Sequence, residues 1–282
     1  MLLVLNVNNT NTVIAIYPVL GDRIGELRAT WRISTRQAQT ADEYGILIRN
    51  LLQTEGVDSK ESSGIVIASV VPPIDWILRQ FSERYFNHKP LFIEPGVRTG
   101  LPILTDNPGE VGADRVANCV GAFQQYGGPC IVVDFGTATN FDVVSKQGEF
   151  LGGAIAPGVN VAAEALFARA ARLPRVEIKR PPKVIGTNTV DNLQIGLFYG
   201  HIGLVDGILE RMIAELGPET KCIATGGLAR LMAGESRFIS EVNDTLTLEG
   251  LRIIYERNLV AGARSRPRNA ANLKKAQGDV LA

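Results

Sequence analysis

One pattern constrains this chain more than any other: a strand, a short polar turn and a second strand occur twice, about half a chain apart. The first copy is apolar over residues 2–5, continues as Asn6-Val-Asn-Asn-Thr-Asn-Thr12, and ends in Val13-Ile-Ala-Ile-Tyr17. The second is Ile131-Val-Val-Asp-Phe-Gly-Thr-Ala-Thr-Asn-Phe-Asp-Val-Val144. Setting Asn6 on Asp134, an offset of 128 residues, places Asn8 on Gly136, Thr10 on Ala138 and Val13 on Phe141. Apolar runs flanking a small polar turn read as a hairpin. A hairpin repeated at this distance predicts two related α/β domains that face each other. The 282 residues suffice for both, at roughly 100–200 per domain.

The stretches between the copies alternate strand and helix. Residues 40–54 follow a helical period, with Thr40 as N-cap ahead of Glu43. Residues 64–71 form an apolar strand that Pro72-Pro73 stops, 74–86 read as a helix, and 90–93 as a short strand. Beyond the second copy, 161–171 and 192–215 read as helices, and Lys221-Cys-Ile-Ala-Thr-Gly-Gly227 as a strand running into a double glycine.

Composition removes several classes of function. Lys+Arg and Asp+Glu both number 29, a formal charge of zero, which leaves no electrostatic case for nucleic acid or an anionic membrane. The N-terminus lacks the basic region of a signal peptide, and no run approaches the ~18 apolar residues of a membrane span. The expectation is a soluble cytoplasmic protein. Cys119, Cys130 and Cys222 are too widely spaced for a zinc site or a disulfide framework. The 2 histidines, His88 and His201, read as structural. No GxxxxGK[ST], GxGxxG or GxSxG motif is present.

What remains is polar turns at strand ends. In residues 6–12 and 136–140, small side chains let successive backbone N–H groups converge into an anion nest, to which hydroxyls add donors. One such turn would be an ordinary hairpin; two, with Gly226-Gly227 at a third strand end, favour a nucleotide cleft between domains. Val111-Gly-Ala-Asp-Arg115 opens an apolar helix. There the dipole would hold Asp114 ionised as a proton acceptor, and Arg115 offers a fork for a carboxylate or phosphate. Asp134 ends a buried strand, where a cation partner is expected.

Several landmarks together resemble the type III pantothenate kinase family. They are Asn9-Thr10-Asn11, Thr40-Ala-Asp-Glu43, Ser69-Val-Val-Pro72, Gly112-Ala-Asp-Arg115, Asp134-Phe-Gly-Thr-Ala-Thr139, Gly152-Gly-Ala-Ile-Ala-Pro-Gly158, Ile185-Gly-Thr-Asn-Thr189, Thr225-Gly-Gly-Leu228 and Leu246-Thr-Leu-Glu-Gly-Leu251. They stand in the family's order over about residues 1–260. The resemblance implies an α/β fold of two duplicated ribonuclease-H-like domains of the acetate kinase/sugar kinase/actin superfamily. These would span residues 1–118 and 119–262, followed by a basic, flexible tail over 263–282. It implies phosphorylation of pantothenate by ATP, the first step of coenzyme A biosynthesis, with Mg²⁺ or another divalent ion, K⁺ or NH₄⁺, and a homodimer. By position, Asp114 resembles the general base. Gly112, Ala113, Asp114 and Arg115 would hold pantothenate, and Thr189 would reach it from the neighbouring subunit. Asn6, Val7, Asn8, Asn9, Thr10, Asn11, Thr12 and Val13, with Thr137, would contact ATP, and Asp134 the monovalent cation.

The chain departs from the family's usual Asp-x-Gly-Asn-Thr at the first hairpin, which here is Asn6-Val-Asn-Asn-Thr10. Neutral Asn6 removes one anionic contact to the metal–phosphate assembly, which lowers the expected rate by roughly 10²–10³. Asn8 is mild where the backbone is left-handed and crowds the phosphates where it is not. Thr105 stands where many members have tyrosine. The alternative reading is an impaired relative that binds nucleotide or pantothenate as a regulatory or partner subunit.

Overall fold

The computed structural model describes residues 1–21 and 23–265; most of the tail read at 263–282 lies outside the described residues. The strands are β1 (Leu2–Val7), β2 (Asn11–Tyr17), β3 (Val19–Leu20), β4 (Arg23–Ile24), β5 (Ala29–Ser34), β6 (Gly64–Ser69), β7 (Leu91–Phe92), β8 (Cys130–Phe135), β9 (Ala138–Val144), β10 (Phe150–Pro157), β11 (Lys221–Thr225) and β12 (Ile239–Val242). The helices are α1 (Ala41–Thr54), α2 (Asp75–Phe86), α3 (Ala113–Tyr126), α4 (Val159–Arg169), α5 (Thr189–Leu216), α6 (Ala229–Met232) and α7 (Leu246–Ser265). Among the described residues, no helix is long and apolar enough to cross a membrane.

Two five-stranded sheets share one topology. The first has the order β5-β2-β1-β6-β7 and the second β10-β9-β8-β11-β12. In each, three strands are antiparallel neighbours and two more add in parallel. This is the duplicated ribonuclease-H-like arrangement. The offset of 128 holds before the turn, because Asn6 pairs with Val13 as Asp134 pairs with Asn140. Beyond the turn it does not. Val7 pairs with Thr12 across four residues, whereas Phe135 pairs with Thr139 across three. The structural counterpart of Thr10 is therefore Thr137 rather than Ala138, and that of Val13 is Asn140 rather than Phe141.

Five layers follow from the alternation of side chains along the strands. Leu3, Leu5, Ile14 and Ile16 pack outward against α1 and α2. Ile131, Val133 and Phe141 pack outward against α5 and α6. Leu2, Val4, Cys130 and Val132 face inward on α3 and α7, which lie between the sheets. By the same alternation, Asn6, Asp134 and Asp142 face inward. Local chemistry starts the flanking helices: Thr40 and Glu43 form a reciprocal capping box on α1, and Asn188 Oδ1 accepts from Asp191 N at 2.9 Å to start α5. That cap places the start of α5 at Thr189, three residues before the expected 192.

Candidate active site

The site forms where β1, β8 and β11 end and α3 begins. Asn118, fully buried on α3, donates from Nδ2 to Asp134 Oδ2 at 3.1 Å. Thr247 Oγ1 donates to Asn118 Oδ1 at 2.6 Å, which fixes the orientation of that amide. No cationic side chain pairs with Asp134 among the described residues. Burial first, then the charge of Asp114, push it up to about 7, against the Asn118 hydrogen bond. Among the described residues the hydrogen-bond partner of Asp134 is thus a neutral amide rather than a cation.

Arg115, next on the helix, turns away from its neighbour. Its Nε and Nη2 donate to Asp142 Oδ1 at 2.7 and 2.5 Å. Asp142, on β9, is 0 % exposed and its Oδ2 has no partner. Burial pushes it up to about 6, although the Arg115 charge and hydrogen bonds oppose the shift. The arginine fork is therefore partly engaged by an internal carboxylate, with Nη1 left over. Sequence reasoning missed Asp142. Its signal is a carboxylate two residues after Asn140, on the same strand face as Asp134.

Asp114 sits in the first turn of α3 and accepts from Arg115 N at 2.8 Å. Burial outweighs the helix N-terminus, so its carboxyl lies above the usual range rather than below it. Burial thus opposes the helix N-terminus and makes the carboxylate a stronger proton acceptor than an exposed one. Gly112, the N-cap residue, has φ −57°, so its conformation does not require glycine. A Cβ there would come within 2.7 Å of Asp114 Oδ1, so a larger residue would displace that carboxylate.

The two turns meet. Thr10 Oγ1 and Thr137 Oγ1 are 3.4 Å apart, both on exposed residues. Gly158 N donates to Thr137 O at 3.1 Å, and a Cβ at Gly158 would run into the carbonyls of Gly136 and Thr137. Gly158 therefore props the second turn, a role the sequence did not indicate. Asn8 does not take a left-handed φ; Asn87 alone among described non-glycine residues does. The backbone condition under which Asn8 would be mild is therefore not met. Asn6 is 7 % exposed, and its Oδ1 is buried without a partner. Gly226, at φ +95°, packs so closely on Asp134 Oδ1 and Phe135 that a Cβ would collide with both.

A family model described as type III pantothenate kinase matches residues 2–211. The chain belongs to the type III pantothenate kinase family. It is 75 % identical over 257 residues to a type III pantothenate kinase of Acidobacterium capsulatum, which covers 91 % of this chain and 94 % of that one. It is 59 % identical over 263 residues to the one of Koribacter versatilis, covering 92 % and 96 %. Among solved structures, a Baf family transcriptional activator from Campylobacter jejuni shares the fold, with TM-score 0.54 at 19 % identity over 92 % of this chain and 99 % of that one.

Of the residues the family resemblance singles out, Thr10 and Thr137 meet between the turns, Asp114 lies close enough to Asp134 to raise it, and Asn6 stands on the inward face of β1. Val7, Thr12 and Val13 flank the first turn within the strands. Thr12 Oγ1 lies 2.8 Å from Thr35 Oγ1 on the outer face, so it supports the turn from behind. Thr189 stands apart: it is exposed at the start of α5, with no hydrogen bond to residues 112–115 in its own chain. Thr105 has a buried hydroxyl with no partner, and its Cγ2 lies beside Gly152 of β10. No cluster of three or more His, Cys, Asp or Glu suited to a metal occurs among the described residues.

Proposed function

We propose that this chain transfers the γ-phosphoryl group of ATP to the primary hydroxyl of pantothenate, the first step toward coenzyme A in the cytoplasm. One observation carries the reading: Asp114, a half-buried carboxylate raised by burial, lies close to Asp134, which leads into the second of two hairpin turns that meet at Thr10 and Thr137, and Arg115 beside it is pinned by Asp142. Asp114 takes the hydroxyl proton as the pantothenate oxygen bonds to the γ-phosphorus and the bond to the ADP oxygen breaks. The free Nη1 of Arg115 meets the pantothenate carboxylate. The backbone N–H groups of both turns and the hydroxyls of Thr10 and Thr137 hold the phosphates, so positioning and charge neutralisation supply most of the acceleration.

The residues fit cations. Asp134 offers a carboxylate without a cationic partner, and Asn6 Oδ1 is an unpaired acceptor. Asp134 would hold K⁺ or NH₄⁺. With so few protein ligands, Mg²⁺ arrives on the phosphates of ATP, the usual mode for this ion. When bound it neutralises phosphate charge.

The active unit is a homodimer in which Thr189 of one subunit completes the pantothenate pocket of the other. An unpartnered apolar face supports this. Val184, Ile185 and Val190, which flank the start of α5, are exposed. A Cβ added at Gly196, Gly200 or Gly203, spaced along one stripe of α5, would meet nothing within 4 Å. Small residues at this spacing allow close helix approach. The test is ADP release by the wild-type chain with Mg²⁺ and K⁺: turnover appears on adding pantothenate, and turnover that ignores pantothenate overturns the reading.

A further inference from the structure

A cation sits at the cleft that neither hairpin turn supplies. Arg32 lies on β5, an edge strand of the first sheet, directly paired with Val13, which pairs with Asn6. Paired residues on neighbouring strands share a face. Arg32 therefore projects from the same inward face as Asn6, toward the second sheet. Its counterpart in the second sheet is Ile155, paired with Asn140 as Arg32 is with Val13. The duplicated fold does not require a charge here; the first half alone carries one.

Its reach is defined by a contact across the cleft. A Cβ built on Gly227 would lie 3.5 Å from Arg32 Nη1. The neighbouring Gly226 packs on Asp134. The guanidinium thus spans from the first sheet to the turn after β11, opposite Asp134. The chain just beyond the strand that carries Arg32 is tied to the first hairpin: Thr35 N donates to Thr10 O at 3.0 Å, and the Thr12 and Thr35 hydroxyls meet at 2.8 Å.

Charge makes the position informative. Asp114, Asp134 and Asp142 make the second half of the cleft acidic, and Arg115 is engaged by Asp142. A polyanionic ligand entering this field needs a cation that is not already neutralised. Arg32 is exposed and has no carboxylate partner among the described residues. A guanidinium presents a fork of donors matched to phosphate oxygens.

We propose that Arg32 is a phosphate ligand for the nucleotide, reaching the polyphosphate from beside the first hairpin turn toward the Gly226-Gly227 turn. This rests on the nucleotide reading of the cleft, which ATP binding by the wild-type chain tests separately. The competing account is an edge-strand charge that only discourages sheet-to-sheet association.

The experiment measures ATP affinity by titration calorimetry, with KM for ATP and for pantothenate, on full-length wild type, Arg32→Gln and Arg32→Lys. Loss of a charged hydrogen-bonding group weakens ATP binding by about 10–100-fold. Arg32→Lys recovers part of it, and the pantothenate KM stays within about twofold. Unchanged ATP affinity in Arg32→Gln overturns the proposal. So does an equal loss of ATP and pantothenate affinity with a lowered melting temperature, which would make Arg32 a strut between the sheets. If Arg32→Gln fails to fold, Arg32→Lys decides: a weakened ATP affinity at unchanged melting temperature supports the proposal, and unchanged affinity overturns it.

Discussion

Replacing Asp142 by asparagine separates what shapes the site from what holds the fold. Ionised Asp142 is costly: burial raises it from 3.8 to about 6 even with Arg115 attached. At 1.4 kcal/mol per pH unit, that costs the native state roughly 3 kcal/mol at neutral pH. Asparagine has nearly the same volume and removes this cost. It also deprives Arg115 of its anion, a change that destabilises a fully buried pair by about 3–5 kcal/mol. The Arg115 side chain is 16 % exposed, and the new amide oxygen still accepts, so about 2–3 kcal/mol is the better figure here. The two effects nearly cancel. The remainder, at most about 1 kcal/mol, shifts the melting temperature by less than about 5 °C in a chain of this size. Substrate recognition has no such compensation. An unpinned Arg115 must be ordered by pantothenate itself, and the pantothenate KM rises about 10–100-fold, with a smaller loss in kcat. Steady-state kinetics at saturating ATP, beside a thermal melt, read both quantities. An unchanged KM would refute the argument that Asp142 places Arg115. A melting temperature lowered by more than about 10 °C would refute the cancellation.

Three further outcomes follow from the same geometry. Asp134 and Asp142 are raised to about 7 and about 6, so the native chain binds more protons than the unfolded one above pH ~4. Their contribution to stability is full below that pH and is lost as pH rises through about 6 to 7, and urea unfolding of the ligand-free protein should show the decline; Asp142→Asn removes its lower part. Gly112→Ala keeps the fold, since φ is ordinary, but displaces the Asp114 carboxylate. Its kcat falls at least about tenfold with little change in melting temperature. Asn6→Asp puts a second carboxylate at the strand ends: it raises kcat by about 10²-fold and makes the melting temperature depend more strongly on Mg²⁺. Equal melting curves with and without Mg²⁺ in that variant would contradict the assignment of Asn6 to the cation side of the cleft.

The duplication was legible because hairpins follow from local alternation and turn residues, and Asn6 and Asp134 fall on equivalent strand positions. The register beyond the turn was not, because the two loops differ by one residue and nothing local records which is longer. Asp114 and Arg115 were legible as a pair, yet their partners were not. Asp142 reads in sequence as a polar position on a strand, and only the packing of α3 over that face buries it. The early start of α5 did carry a signal, since Asn188 and Asp191 stand at capping distance. Arg32 has none, because a charged residue on an edge strand is what edge protection alone would also place there.

The central claim is that Asp114 serves as the base for phosphoryl transfer to pantothenate in this cleft. The most direct measurement mixes the enzyme with γ-labelled ATP and pantothenate, with Mg²⁺ and K⁺, and follows a single turnover for label on the pantothenate hydroxyl. Wild type should transfer the label. Asp114→Asn should bind both substrates with little loss and transfer it about 10²–10⁴-fold more slowly. Equal transfer rates in the two proteins, or no label on pantothenate with wild type, would contradict the account.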